Sequence, residues 1–425
     1  MYEYGYDSYQ NRIILCIDLK SFYASCSCLS MGLDPLTTKL AVVGDVTRSG
    51  SIVLAATPPL KALGIKQGSR LFDIPQEQDI HVVNPSMAQY IHVSKQITSI
   101  ALQYTAPEDF HQYSIDEMFL DATQSIHLFA KAPYELAQHL ISTIREQTGI
   151  PAAAGIGPNL LLAKIALDRE AKKTKQSIAH WTYDDVQTKL WSIQPLSQFW
   201  GISANTEKKL NRLGIFSVKQ LAKSSLELLK KHFGIIGEEL HRHANGVDES
   251  RIANLYIPSS NSIGKSQILL RDYMQLSEIQ VVLLEHIEEV CFRLRSQRKL
   301  ARTIQFSISY SREWGAGGFS RMHTLEEPTN LTMECYKTCL QILQESYTGE
   351  PIRKLSVSLT NLIDDDEVQL SLFKHGLRRE KERNLAFTVD EVRNKHGKNS
   401  LLRAVSYTAG STVQYRNTLI GGHKA

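Results

Sequence analysis

Apolar and polar positions along the chain change rhythm several times, and each change marks an element. Residues 13–17, IILCI, form a short unbroken apolar run, the pattern of a strand buried on both faces, and it stops at Asp18. Ser21 follows as a candidate cap for a helix opening FYASCS. LAVVGDVTRSGSIVLAA reads as two strands around a polar turn, and PPLKALGIKQGS as a short helix opened by proline and closed by glycine. Helical spacing predicts a longer helix over 86–104, then the stretch YSIDEMFLD (113–121) reads as a strand. YELAQHLISTIREQTG predicts a helix, IPAAAGI a strand, and PNLLLAKIALDREAKK a helix with Pro158 in its first turn.

Strands alternating with helices predict an α/β or α+β core to about residue 185. From 186 to 253 the pattern shortens to small helices broken by Gly201, Gly214, Gly234 and Gly246, and NLYIPSSNS reads as a linker. Beyond it come a strand (262–270), a helix (277–299), two strands (302–311, 319–326), a helix (331–346) and a strand (352–361), the β-α-β-β-α-β order of a split βαβ domain. Residues 363–425 begin acidic in IDDDEV, turn basic in KHGLRREKER and show little core-forming pattern, which predicts a partly ordered tail.

Composition narrows the class without choosing a function. Hydrophobic residues at 42% and charged residues at 22% predict soluble globular domains, and no apolar run is long enough to span a bilayer. The N-terminus MYEYGYDSYQNR lacks the basic flank and apolar centre of a signal peptide, so a cytoplasmic location is expected. Six cysteines, without the spacing of a disulfide framework or a complete zinc site, predict buried free thiols. A net charge of +4 permits a polyanionic partner without requiring one.

The chemistry concentrates in acids placed where the pattern predicts core. Asp18 ends one buried strand, and Asp116 with Glu117 interrupts another. Such carboxylates repel one another unless a cation sits among them, and Mg²⁺, a hard oxygen-binding ion, suits them. A pair of such ions can clamp the two oxygens of a phosphoryl transfer. Because successive strand residues point to opposite faces, Asp116 and Glu117 converge only if the backbone turns or bulges there. Read alone, the pair also fits a solvated turn, and Asp18 a helix cap.

Taken together, IDLKSFYASC (17–26), LKALGIKQG, YSIDEMFLD, GIGPNLLLAKIA, the helical module and the split βαβ domain resemble, in sequence order, the Y-family translesion DNA polymerases, near the UmuC-like branch. The resemblance covers about residues 12–362. It implies an α+β multidomain right hand: palm (1–28 and 88–185), fingers (29–87), a helical thumb (186–253) with a helix-hairpin-helix, a split-βαβ little finger (254–362) that binds DNA, and a clamp-binding segment with a tail (363–425).

Carried over by position, Asp18 and Asp116 bind both of two Mg²⁺ ions, Glu117 the catalytic one and the Leu19 carbonyl the nucleotide-associated one. Tyr23 matches the steric gate that excludes a 2′-hydroxyl. Pro58 and Lys61 stand where many relatives carry a tyrosine and an arginine on the triphosphate. Lys172 is the match for the palm lysine, with Lys173 as the neighbouring alternative, and Lys164 reads as structural. Lys20 replaces a residue that is often acidic or amidic in relatives. FWGISANTEKKLNRLGI places Gly201 and Ser203 in a phosphate-binding hairpin, where Ser203 replaces a glycine. CFRLRSQRKLART clusters positive charge at a helix end, and some of it is expected on phosphates.

QLSLF is similar to the pentapeptide that docks on the bacterial sliding clamp, with Gln369, Leu372 and Phe373 as anchors. The implied function is DNA-directed synthesis past lesions in DNA repair and the SOS response, with low fidelity and no proofreading. Its substrates are primer-template DNA and deoxynucleoside triphosphates, its further partners RecA or accessory proteins, and no membrane is involved. The alternatives are a non-catalytic clamp-bound repair scaffold on the same fold and, more distantly, a nucleotidyl cyclase, which has no use for the hairpin, the little finger or QLSLF.

Overall fold

Small residues and apolar runs build the first sheet in the computed structural model, which describes residues 5–254, 261–315, 317–365 and 376–425. The N-terminal run becomes β1 (Ile14–Leu19), followed by α1 (Phe22–Ser30). Then come β2 (Lys39–Val43), β3 (Val53–Ala56), α2 (Pro58–Ala62), β4 (Ile80–Val83) and α3 (Met87–Ala101). β5 (Phe110–Gln112), β6 (Glu117–Asp121), α4 (Pro133–Thr148), β7 (Ala152–Gly157), α5 (Leu160–Arg169) and β8 (Ile178–His180) complete this part. The main sheet runs β5-β6-β1-β7-β8, antiparallel except for the β7/β8 pair, and a smaller sheet runs β3-β2-β4.

The AAAGIG sequence of β7 lets α5 lie against the sheet at very short range. A Cβ on Gly155 would stand 2.1 Å from the Ala163 carbonyl oxygen, and one on Gly157 2.5 Å from the Ala163 nitrogen. Pro158 lies outside the helix rather than in its first turn. Asn159 is the cap, its side chain accepting the Leu162 N–H at 2.9 Å.

The helical module consists of α6 (Asp185–Thr188), α7 (Ala204–Arg212), α8 (Val218–Ala222), α9 (Leu226–Phe233) and α10 (Ile235–Ala244). Its core is continuous with that of the main sheet: Ile14, Cys16, Phe119, Leu161 and Leu167 belong to one buried cluster with Leu210, Val218, Leu229 and Leu240. Asn159 Nδ2 also donates to the Gly246 carbonyl at 2.8 Å. Residues 1–255, with 423–425, accordingly form one compact unit and 256–422 a second.

The second unit follows the order expected from its pattern: β9 (Ile263–Tyr273), α11 (Leu276–Ser296), β10 (Lys299–Tyr310), β11 (Gly318–Thr329), α12 (Thr332–Ser346) and β12 (Ile352–Asp364). The sheet order is β11-β10-β12-β9, antiparallel throughout. Ile279, Val282, Ile287, Ile304, Val357 and Leu359 share the core beneath its helices.

The C-terminal segment differs from expectation. α13 (Gly376–His396) and α14 (Val413–Arg416) are built onto this unit. Arg295 Nε donates to Asp390 at 2.6 Å, with both residues buried, and Arg383 grips Asp365 through two bonds of 2.9 and 2.8 Å. Buried Glu285 accepts from Ser411 Oγ at 2.6 Å and from the Thr412 N–H at 3.1 Å. Docking here runs through ions and hydroxyls, which leave no hydrophobic rhythm to read. Arg295, one member of the basic cluster CFRLRSQRKLART, is therefore held inside the protein. Among the described residues, no helix is long and apolar enough to cross a membrane.

Candidate active site

A hairpin turn places the acidic pair. Between β5 and β6 the N–H groups of Tyr113 and Ser114 both donate to the Glu117 carbonyl at 3.0 Å, so residues 113–116 are turn rather than strand. Glu117 opens β6 directly opposite Asp18 of β1. Asp116 stays in the turn, its carbonyl accepting the Leu19 N–H at 2.9 Å and its carboxylate the Ser114 hydroxyl at 2.6 Å. Strand alternation sets Cys16, Asp18, Glu117 and Phe119 on the sheet face covered by α5. Cys16 Sγ donates to Glu117 Oε1 at 3.2 Å, and burial followed by the Glu117 charge pushes its thiol well up, so it stays protonated.

Two lysines answer the acids. Lys164 Nζ lies 2.7 Å from Glu117 Oε1 and 2.8 Å from Oε2, and 2.9 Å from Asp168 Oδ2. Lys172 Nζ lies 2.8 Å from both Asp18 Oδ2 and Asp168 Oδ1. Burial raises the Asp18 carboxyl, Lys172 opposes that rise, and the charges of Asp116 and Glu117 add to it. For Lys164 and Lys172, burial favours the neutral amine, but the surrounding carboxylates outweigh it and raise both ammonium groups.

Lys164, which reads as structural in the sequence, thus lies in direct contact with Glu117. The signal for it was the spacing of four between Lys164 and Asp168, which puts both on one face of a helix, with Lys172 four residues further on. Among the described residues, no three His, Cys, Asp or Glu side chains stand in an arrangement that could hold a metal ion. In this structure Asp18 is paired with the Lys172 ammonium group and Glu117 with that of Lys164. The donor set itself, carboxylate oxygens with no available thiolate, fits a hard divalent ion.

At the rim, Ser21 does not cap α1. It adopts a left-handed conformation (φ 49°) and its Oγ accepts from Lys61 Nζ at 2.8 Å, which ties α2 to the β1–α1 junction. Lys20 Nζ donates to Ser177 Oγ. Tyr23, half-buried, stacks on buried Tyr90 with ring centroids 4.5 Å apart and 13° between planes, and Tyr90 is held by Ser27 at 2.8 Å.

In the helical module Gly201 has φ +88°, the left-handed torsion a hairpin needs. Ser203 is extended (φ −78°), so no glycine is required there, and its hydroxyl caps α7 by accepting the Thr206 N–H at 3.2 Å. The serine that replaces a hairpin glycine is a helix cap. Gln369, Leu372 and Phe373 lie outside the described residues.

Known proteins match along the chain. The model of the impB/mucB/samB family matches residues 17–168, that of its C-terminal domain residues 260–372, and the IMS family HHH motif residues 183–215. A Bacillus subtilis protein named for UV-damage repair, UvrX, is 48% identical over 99% of both chains. A protein named DNA polymerase IV 2 from the same organism is 37% identical over 97% of this chain and 99% of its own length. In fold, the chain is similar to a Y-family DNA polymerase chimera, Dbh-Dpo4(243-245)-Dbh, with a TM-score of 0.65 at 20% identity, covering 83% of this chain and 99% of that one.

Proposed function

Because this chain belongs to the impB/mucB/samB family of Y-family DNA polymerases, we propose that it extends primers across damaged template, with low fidelity and without proofreading, in DNA repair and the SOS response. The observation that carries the catalytic part is the register of β1 against β6, which sets Asp18 opposite Glu117 with Asp116 in the adjoining turn.

Asp18 and Asp116 would hold both of two Mg²⁺ ions, Glu117 one of them and the Leu19 carbonyl the other. When bound, the ions would neutralise the triphosphate and activate the primer 3′-hydroxyl for in-line attack at the α-phosphate, with pyrophosphate leaving. The protein's own task is positioning. Lys61, anchored on Ser21, and Lys172, beside Asp18, supply positive charge for the triphosphate. Tyr23, braced by Tyr90, presents a rigid ring against the sugar.

The hairpin at Gly201, with α7 capped by Ser203, suits a phosphate of the duplex, where backbone N–H groups bind without reading sequence. In this reading residues 1–28 and 88–185 act as palm, 29–87 as fingers, 186–253 as thumb and 254–362 as little finger. Gln369, Leu372 and Phe373 would dock on the sliding clamp, and RecA or accessory proteins are further partners. Such an enzyme works on DNA in the bacterial cytoplasm.

The test is primer extension by Asp116→Ala/Glu117→Ala. Extension is expected to vanish while primer-template binding, followed by fluorescence anisotropy, persists. Nucleotide addition by the double variant at the wild-type rate would end the catalytic assignment.

A further inference from the structure

Five charged side chains close a ring on the α5 face of the main sheet. Asp18 and Glu117 face each other across β1 and β6. Lys172 sits on Asp18 at 2.8 Å and Lys164 on Glu117 at 2.7 Å, while Asp168 joins the lysines at 2.8 and 2.9 Å. Three carboxylates therefore share two ammonium groups, and only Asp168 has no part in the proposed metal set. It stands in the last turn of α5, which ends at Arg169, and a separate 3-10 turn, Ala171–Lys173, carries Lys172. The helix fixes where the Asp168 carboxylate points, whereas each lysine swings on a four-carbon stem.

The ring poses a competition that metal binding must resolve. A cation that takes Asp18 and Glu117 removes one acceptor from each lysine. The Lys164 side chain is only 8% exposed, so its ammonium cannot turn to water, and leaving it unpaired would be costly. Asp168 is within bonding distance of both ammonium groups already.

We propose that Asp168 is a positioning residue: it retains Lys164 and Lys172 when divalent cations occupy Asp18 and Glu117, so that neither lysine contests the metal's carboxylates and Lys172 stays at the nucleotide pocket. This rests on the polymerase reading above. Without Asp168, the acceptors left to the two lysines within this ring are the carboxylates the metal needs. The lysines then hold those acids more tightly, and metal binds less well.

The experiment compares the full-length wild-type chain with Asp168→Asn and Asp168→Glu in two ways. The first is Mn²⁺ binding to the protein with primer-template, read from the electron paramagnetic resonance of free Mn²⁺ and requiring no turnover. The second is the Mg²⁺ dependence of primer extension, with kcat and nucleotide KM at saturating metal. Asp168→Asn should weaken Mn²⁺ binding and raise the half-activating Mg²⁺ concentration by about tenfold, as loss of a partner behind a metal ligand does. Its kcat at saturating metal should stay near wild type, and Asp168→Glu should restore most of the loss. Unchanged Mn²⁺ affinity in Asp168→Asn, or a fall in kcat that saturating metal does not repair, overturns the proposal. A wild-type chain that extends no primer would end the polymerase reading instead, and the Mn²⁺ comparison would still decide the role of Asp168.

Discussion

Lys164 Nζ binds both oxygens of Glu117 in a pocket that leaves the two side chains 8% and 10% exposed. Removing one partner of such a pair strands the other charge, so Lys164→Met should destabilise the protein by about 3–5 kcal/mol, measured by urea unfolding. Lys164→Met/Glu117→Leu should recover much of that stability and none of the proposed activity. Tyr23 lends itself to a second measurement. Tyr23→Ala should raise ribonucleotide incorporation by at least about tenfold, equivalent to about 1.4 kcal/mol of lost steric exclusion. Tyr90→Leu, which removes the stacked ring behind Tyr23, should raise it by less; unchanged sugar selection in Tyr23→Ala would remove the gate assignment. Asp18, Asp116 and Glu117 stand out in the sequence as candidates because acids are rare in apolar runs. The pairing of Lys164 with Glu117 was not, since 47 positions separate them and only the packing of α5 on β1 and β6 brings them together.

At the scale of elements, the close approach of α5 to β7 is what delivers Lys164 and Asp168 to the site. Gly155→Ala would put a methyl group 2.1 Å from the Ala163 carbonyl oxygen and 2.4 Å from the Leu167 nitrogen, both backbone atoms that cannot rotate aside. A loss of about 3 kcal/mol or more is expected, at or above the upper end for overpacking, because helix and strand must separate. Nucleotide addition should fall as well at temperatures where the variant remains folded, because Lys164 and Asp168 move with α5. The strand and the helix were both readable from period and composition. Their separation was not: Gly155 in AAAGIG marks a close approach without naming its partner. The acidic pair shows the converse, since the requirement for a turn followed from strand alternation alone and residues 113–116 supply it.

At the scale of the whole molecule, the second unit is completed by a segment whose pattern predicted little order. Asp390→Ala would leave Arg295 buried with, among the described residues, the Asn330 carbonyl at 2.8 Å as its remaining hydrogen-bond partner. A cost of about 3–5 kcal/mol is expected, with earlier proteolysis within 376–396 as the direct readout. The same unit should be acid-sensitive through His286. Its ring, carried by α11, is buried, with Nε2 on Gln267 of β9 at 2.9 Å and no hydrogen-bond partner for Nδ1 among the described residues. Burial first, then the charges of Arg416 and Lys265, depress it well below the ordinary 6.5. The unfolded chain therefore binds a proton that the folded one refuses. Stability is full above pH 6.5 and falls as pH drops below it, by up to about 1.4 kcal/mol per pH unit. His286→Gln should flatten that dependence in unfolding titrations between neutral and mildly acid pH.

Periodicity, punctuation by Gly and Pro, and motifs in order were enough to set the element types, the split βαβ order and the polymerase family, because each depends on neighbours within a few residues. Tertiary structure decided which lysine meets which acid, how closely α5 lies on its sheet and whether the C-terminal segment docks. Those outcomes depend on charges and backbone atoms far apart along the chain, whose energies exist only once folding has excluded water between them.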